Sequence, residues 1–180
     1  MVQFLIENAL CDKNEVNARN STALHEASLM DKSEMVKYLL SQGLDVDAVD
    51  FDGRTPLLRS MSEAMALILI DHGADVNAVD EDWRTPAHKA VGLLYRAKVD
   101  SVDLLRVLGA SGANLAAGSE VTPAGMAEDC GLIDVAIWLR HVERYSPMQI
   151  ACESRRPDLI RRFRVLSFHS LYCFVMVRPG

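Results

Sequence analysis

Gly73–His88 reads GADVNAVDEDWRTPAH, and thirty residues earlier Gly43–Leu58 reads GLDVDAVDFDGRTPLL. Two copies this close together make a repeated structural unit. Each has a Gly, a short alternating segment, an Asp-rich turn, and Thr-Pro leading into an apolar-periodic run. Gly43 and Gly73 can take the left-handed conformation that stops a helix. Asp50, Asp52, Asp80 and Asp82 suit a turn, because their carboxylates can accept bonds from nearby backbone N–H groups. Thr55 and Thr85 can cap the next helix, with Pro56 and Pro86 at the first helical position, where a missing N–H costs nothing. The phrase therefore encodes a helix stop, an extended excursion expected to turn as a short β-hairpin, and a helix start.

Related phrases run outward from this pair to about Leu166. The order D-x-x-G-x-T-P-L-H, then apolar positions, then L-L-x-x-G-A-D-V-N resembles the ankyrin repeat, a unit of about 33 residues. It stands here as FDGRTPLLRSMSEAMALILIDHGADVNAVD and, more loosely, as VTPAGMAEDCGLIDVAIWLRHVE and YSPMQIACESRRPDLIRRFRVL. The resemblance implies an all-α ankyrin-repeat solenoid with short projecting β-hairpin turns, each unit touching only its neighbours. It places the repeat domain at 1–166, with a partial first repeat and repeats near 18–49, 50–79, 80–112, 113–144 and 145–166, followed by an apolar tail at 167–180. His25 is implied to bond across its turn and fasten adjacent repeats. Asn77 is implied as a modification site, because it stands where some ankyrin proteins carry a hydroxylated asparagine.

The units are unequal. Thr55 to Gly73 is three residues shorter than Thr22 to Gly43, so the second unit lacks a turn in its inner helix or in the loop after it. Thr85 to Gly112 is six residues longer, with the excess expected around Gly92–Val99. That excess reads either as a partner-facing loop bearing Tyr95 or as an extended helix. Leu58 and Gly125 occupy the register position of His25 and His88. At the start, MVQFLIENA reads as a helix with an apolar face through Val2, Leu5 and Ile6. At the end, Leu166 to Val177 is too short and too interrupted to span a bilayer. A stack cap or an irregular terminus is the preferred reading there over membrane contact, even with Arg155, Arg156, Arg161, Arg162 and Arg164 ahead of it.

Composition narrows the functional classes. The formal net charge is -6, and residues 1–90 hold 16 acidic against 8 basic side chains, while residues 91–180 hold 9 against 11. An acidic chain repels phosphate, which argues against nucleic acid as a partner. The four cysteines, at 11, 130, 152 and 173, show no paired spacing and no secretory leader precedes them. That points to a reducing intracellular compartment, cytoplasmic or nuclear. No phosphate loop, dinucleotide fingerprint or nucleophile elbow occurs, and His25 and His88 belong to equivalent positions of different units, too far apart for one ion. No catalytic residue, cofactor or metal is expected, and the chain is not read as an enzyme.

The ankyrin resemblance implies instead a protein-interaction module or adaptor, binding through its hairpin tips and its concave inner-helix face. The candidate contacts are Asp50, Phe51, Asp52, Glu81, Asp82, Trp83 and Arg84 on neighbouring tips, with Tyr95 beyond them. An acidic surface of this kind suits a basic or mixed protein partner. Trp83 carries the most weight, since it stands where Gly53 stands one unit earlier and tryptophan at a loop tip is enriched at interfaces. Two alternatives stay open: a substrate-recognition subunit of a larger enzyme assembly, or a fragment of a larger ankyrin-containing enzyme. The oligomeric state is also left open.

Overall fold

A computed structural model describes residues 15–97, 102–117, 121–154 and 158–159. The readings placed on the first nine residues, on Lys98 and Val99, on the arginines from Arg155 to Arg164 and on the tail lie outside those residues. Nine α-helices follow one another among the described residues: α1 Ala23–Leu29, α2 Ser33–Ser41, α3 Pro56–Arg59, α4 Glu63–Asp71, α5 Pro86–Ala97, α6 Asp103–Ala110, α7 Pro123–Asp129, α8 Ile133–Val142 and α9 Pro147–Glu153. Helices α1 and α2, α3 and α4, α5 and α6, and α7 and α8 pack as pairs. Each inner helix from α1 to α7 also packs on the next inner one, and the outer row runs α2 to α4 to α6.

The helix starts use one residue type in two ways. Thr55, Thr122 and Ser146 are extended at the position before their helices, and each side chain accepts the N–H three residues on, from Leu58, Gly125 and Gln149. Where that third residue is histidine, its ring returns a bond by accepting the capping residue's own N–H. His25 Nδ1 accepts the Thr22 N–H at 3.1 Å and lies 2.9 Å from Thr22 Oγ1, while Nε2 reaches the Arg54 carbonyl at 2.9 Å. A carbonyl only accepts, so Nε2 carries the proton and Nδ1 is the acceptor. His88 repeats the arrangement with Thr85 and the Val121 carbonyl at 2.9 Å. Both rings thus tie one unit to the backbone of the next.

The unequal units resolve inside the inner helices. Helix α3 has four residues against seven in α1, which accounts for the three missing from the second unit. Helix α5 has twelve, so the extra residues of the third unit lengthen a helix through Ala97 instead of opening a loop at Gly92.

The expected projecting β-hairpin turns are not there: among the described residues no β-strand occurs, only an isolated bridge between Val16 and Thr22. The reason lies in the aspartates. Asp50 Oδ1 accepts the N–H groups of Asp52 at 3.0 Å and Arg54 at 2.9 Å, donors that a strand partner would have needed. Asp80 treats Asp82 and Arg84 identically, at 3.0 and 2.9 Å, and Asn17 does the same for Arg19 and Ser21. Each tip is therefore a closed side-chain-to-backbone turn. Successive tips join by one backbone bond each, Phe51 N–H to the Arg19 carbonyl at 3.0 Å and Glu81 N–H to the Asp52 carbonyl at 3.1 Å, which is too little to make a ladder.

The core runs between the helix rows through fully buried Leu24, Leu39, Leu69, Leu105 and Leu139. Helix α4, EAMALILID, is apolar almost all round because it serves two cores. Met65, Ala66 and Leu69 enter the main one, while Leu67 and Ile70 pack on a second formed by Val107, Ala110, Ala151 and Leu159. The second exists because α9 packs on α6, the outer helix of the third unit, and not on α7 as a continued inner row requires. Gly109 admits it, since a Cβ there would lie 3.0 Å from both Ile150 Cδ1 and Leu115 Cδ1.

Candidate functional site

The tips of the first three units are three copies of one turn, so their differences are the informative part. The fourth residue of each turn is left-handed: Asn20 at φ 56°, Gly53 at φ 68° and Trp83 at φ 60°. Asparagine tolerates that region and glycine is free in it, but a bulky side chain there costs about 1–2 kcal/mol. Gly53 has a further reason to be glycine, because a Cβ would meet the Glu81 nitrogen at 3.1 Å. Trp83 is the odd member of the series. Its ring is not folded back over the turn, for the residue is 64% exposed, as Phe51 is at 66% on the preceding tip.

The acidic candidates divide by role. Asp50 is buried and, beyond its turn bonds, its Oδ2 lies 2.8 Å from Arg59 Nη1. Burial raises its pKa, but the N–H bonds from Arg54 and Asp52 and the Arg59 guanidinium outweigh that and hold the carboxyl below the usual 3.8. Asp50 thus builds the tip from within. Asp52 pairs with Arg54, whose side chain is largely covered, at 2.8 Å, and Asp82 pairs with Arg84 at 3.1 Å in solvent, where such a pair is worth at most about 1 kcal/mol. Glu81 is exposed and has no cation within 4 Å among the described residues. The exposed tip surface is consequently mixed in charge, with two aromatic rings standing out of it.

Tyr95 does not join that group. It is 56% exposed near the end of α5, about 14 Å along the helix axis from the Pro86 end that adjoins the tips. Asn77 is exposed at the edge of the stack, but its amide is engaged. Its Oδ1 accepts the Asn114 N–H at 2.7 Å and its Nδ2 donates to the Gly112 carbonyl at 3.3 Å, stitching the second unit to the junction of the third and fourth. Asp47 makes the corresponding stitch one unit earlier, to the Asp75 N–H at 3.0 Å.

Sequence reasoning passed over a row on the inner helices. Counting four residues from the capping residue of each helix in the inner row gives Glu26, Arg59, Lys89 and Met126, so the register that exposed the repeat also exposes the row. Arg59 bonds Glu26 at 3.3 Å as well as Asp50. Lys89 is half-buried with no carboxylate within 4 Å among the described residues. Its ammonium is held below the ordinary lysine pKa, first by burial and then by the charges of Arg54, Arg96 and Arg59, against which Asp80 is the opposing carboxylate.

Among the described residues no group of three or more His, Cys, Asp or Glu could hold a metal ion, and no helix is long and apolar enough to cross a membrane. Two family models match the chain, ankyrin repeats (3 copies) over residues 1–80 and ankyrin repeats (many copies) over residues 60–106. Together they take in more than half of the 180 residues. The chain is similar to human transient receptor potential cation channel subfamily A member 1, 39% identical over 51 residues, which is 28% of this chain and 5% of that protein. It is also similar to an ankyrin and IPT/TIG repeat-containing protein of Schizosaccharomyces pombe, 39% identical over 61 residues, 34% of this chain and 5% of that protein. The chain therefore spans about a twentieth of the length of these relatives.

Proposed function

The chain belongs to the ankyrin-repeat family, and from that premise we propose that it is a non-enzymatic interaction module that grips a protein partner with its tips and inner-helix face. The repeat domain we assign to this task is the one bounded at residue 166, with the units near 18–49, 50–79, 80–112, 113–144 and 145–166. The observation that carries the reading is Trp83, a large aromatic held 64% exposed in a backbone conformation that disfavours it. Strain kept at an exposed aromatic is what a contact residue shows and what a structural residue avoids. Phe51 supplies a second anchor on the adjacent tip. Asp52, Glu81, Asp82 and Arg84 give the mixed rim that fixes orientation, and the partner is a protein and not a nucleic acid. A cytoplasmic or nuclear setting accords with the unpaired cysteine spacing.

The test uses the full chain with Trp83→Gly and Phe51→Ala combined. Partner capture is expected to fall sharply while the urea midpoint rises, because glycine relieves about 1 kcal/mol of left-handed strain at position 83. Undiminished capture by the double variant would remove the tips from the binding surface. A second reading, that the module is one part of a larger recruiting assembly, draws on the far greater length of both relatives.

A further inference from the structure

Helix α3 ends after four residues and α5 runs for twelve, so α5 overtops its neighbour by about 12 Å. Lys89 and Arg96, seven residues apart, lie on one face of α5, two turns from each other. Every other cation in this part of the inner row already has a carboxylate. Arg59 holds Asp50 and Glu26, and Arg54 holds Asp52. Lys89 and Arg96 have none within 4 Å among the described residues. The carboxylate that acts most on Lys89, Asp80, is committed elsewhere: one oxygen takes two backbone N–H groups, and the other stands 3.8 Å from Arg54 Nε. That Arg54 Nε is itself buried without a hydrogen-bond partner. Positive charge is thus left uncompensated at one place on a chain whose net charge is -6.

We propose that Lys89, with Arg96 above it and Arg54 beside it, is a seat for a carboxylate, and that the protein partner presents an acidic segment to the inner-helix face between the second and third units. This rests on the interaction-module reading and names the chemistry of the partner at that face. An incoming carboxylate gives the half-buried ammonium the counter-charge that Asp80 does not supply, which desolvation makes worth more than on an open surface. A nucleic acid is the poorer fit, because it must lay a continuous phosphate chain on a protein whose net charge is -6, whereas a protein segment can place a single carboxylate there.

The experiment titrates hexaglutamate into the full chain, with hexaglutamine and hexauridine as separate arms, and follows the side-chain signals of Lys89 by NMR. Hexaglutamate is expected to move Lys89 and Arg96 signals before any on the tips. Lys89→Met, which keeps most of the stem and removes the charge, is expected to weaken it roughly tenfold, and Lys89→Arg to restore it. Equal hexaglutamate binding by Lys89→Met, no binding by the unaltered chain, or hexauridine binding as tightly as hexaglutamate would each overturn the assignment. The Trp83→Gly, Phe51→Ala variant is expected to bind hexaglutamate unchanged. Loss of partner capture in that variant beside undiminished capture in Lys89→Met would sink the carboxylate seat and leave the tips standing.

Discussion

His25 and Asp50 make the stack sensitive to acid in two steps with the same sign. The His25 ring is fully buried, and burial lowers its pKa from 6.5 against the smaller opposing effects of the Arg54 carbonyl and the Asp50 charge. A proton added at Nδ1 would point at the Thr22 N–H that this atom now accepts. A folded pKa below the unfolded value means that the contribution is complete above pH 6.5 and is lost as pH falls toward the folded value. Asp50 follows the same rule lower down, complete above 3.8 and lost beneath it. Urea midpoints are therefore expected to be level at pH 7–8, to begin falling below about 6.5, and to fall again below about 3.8. His25→Leu should abolish the first step at a cost of about 2 kcal/mol at pH 8 for the bonds lost at its two ring nitrogens, and the chain already accepts leucine at this position in the second unit, as Leu58. Midpoints that still drop between pH 7 and 5 in that variant would place the first step elsewhere.

At the level of the helix, the second core makes a separable claim. Leu67 packs from α4 on the cluster of Val107, Ala110, Ala151 and Leu159, Ile70 packs on both cores, and Met65, Ala66 and Leu69 enter the main one. Leu67→Asp should lift α9 without dissolving the stack, seen as faster amide exchange at 147–153 with little change in α1 to α3; uniform loss of protection would show one core instead of two. The helix starts were legible because Thr-Pro and Ser-Pro act locally, through a cap and a fixed φ. The destination of α9 was not, because Ser146-Pro147 opens it as Thr122-Pro123 opens α7, and only contact with Val107 and Ala110 decides where it lies. The tips were misread for a related reason. The alternation around Val76 and Ala78 has the period of a strand, but Asp50 and Asp80 claim the N–H groups that pairing requires. Of the candidate contacts, Phe51 and Trp83 could be read from their register, whereas burial of Asp50 depended on Arg59, nine residues away.

Across the molecule, the helices of the second and third pairs have the most neighbours: α3 touches α1, α4 and α5, α4 touches α2, α3 and α6, α5 touches α3, α6 and α7, and α6 touches α4, α5 and α9. In a stack whose stability is a sum over adjoining interfaces, such pairs open last. Amide exchange is expected to be slowest within helices α3 to α6 and faster in α1 and α2, and equal protection at the first unit would refute it. The inner helices α1, α3 and α5, with seven, four and twelve residues, also bear on how the chain finds its structure. Near-identical units can trade places during folding, each satisfying the contacts meant for another, and arrays of like modules misassemble by that route. Here an exchange would leave a void over the short helix or drive surplus turns into a space cut for four residues, so the irregular lengths of α3 and α5 work as an address that lets those two copies of the phrase settle at only one position.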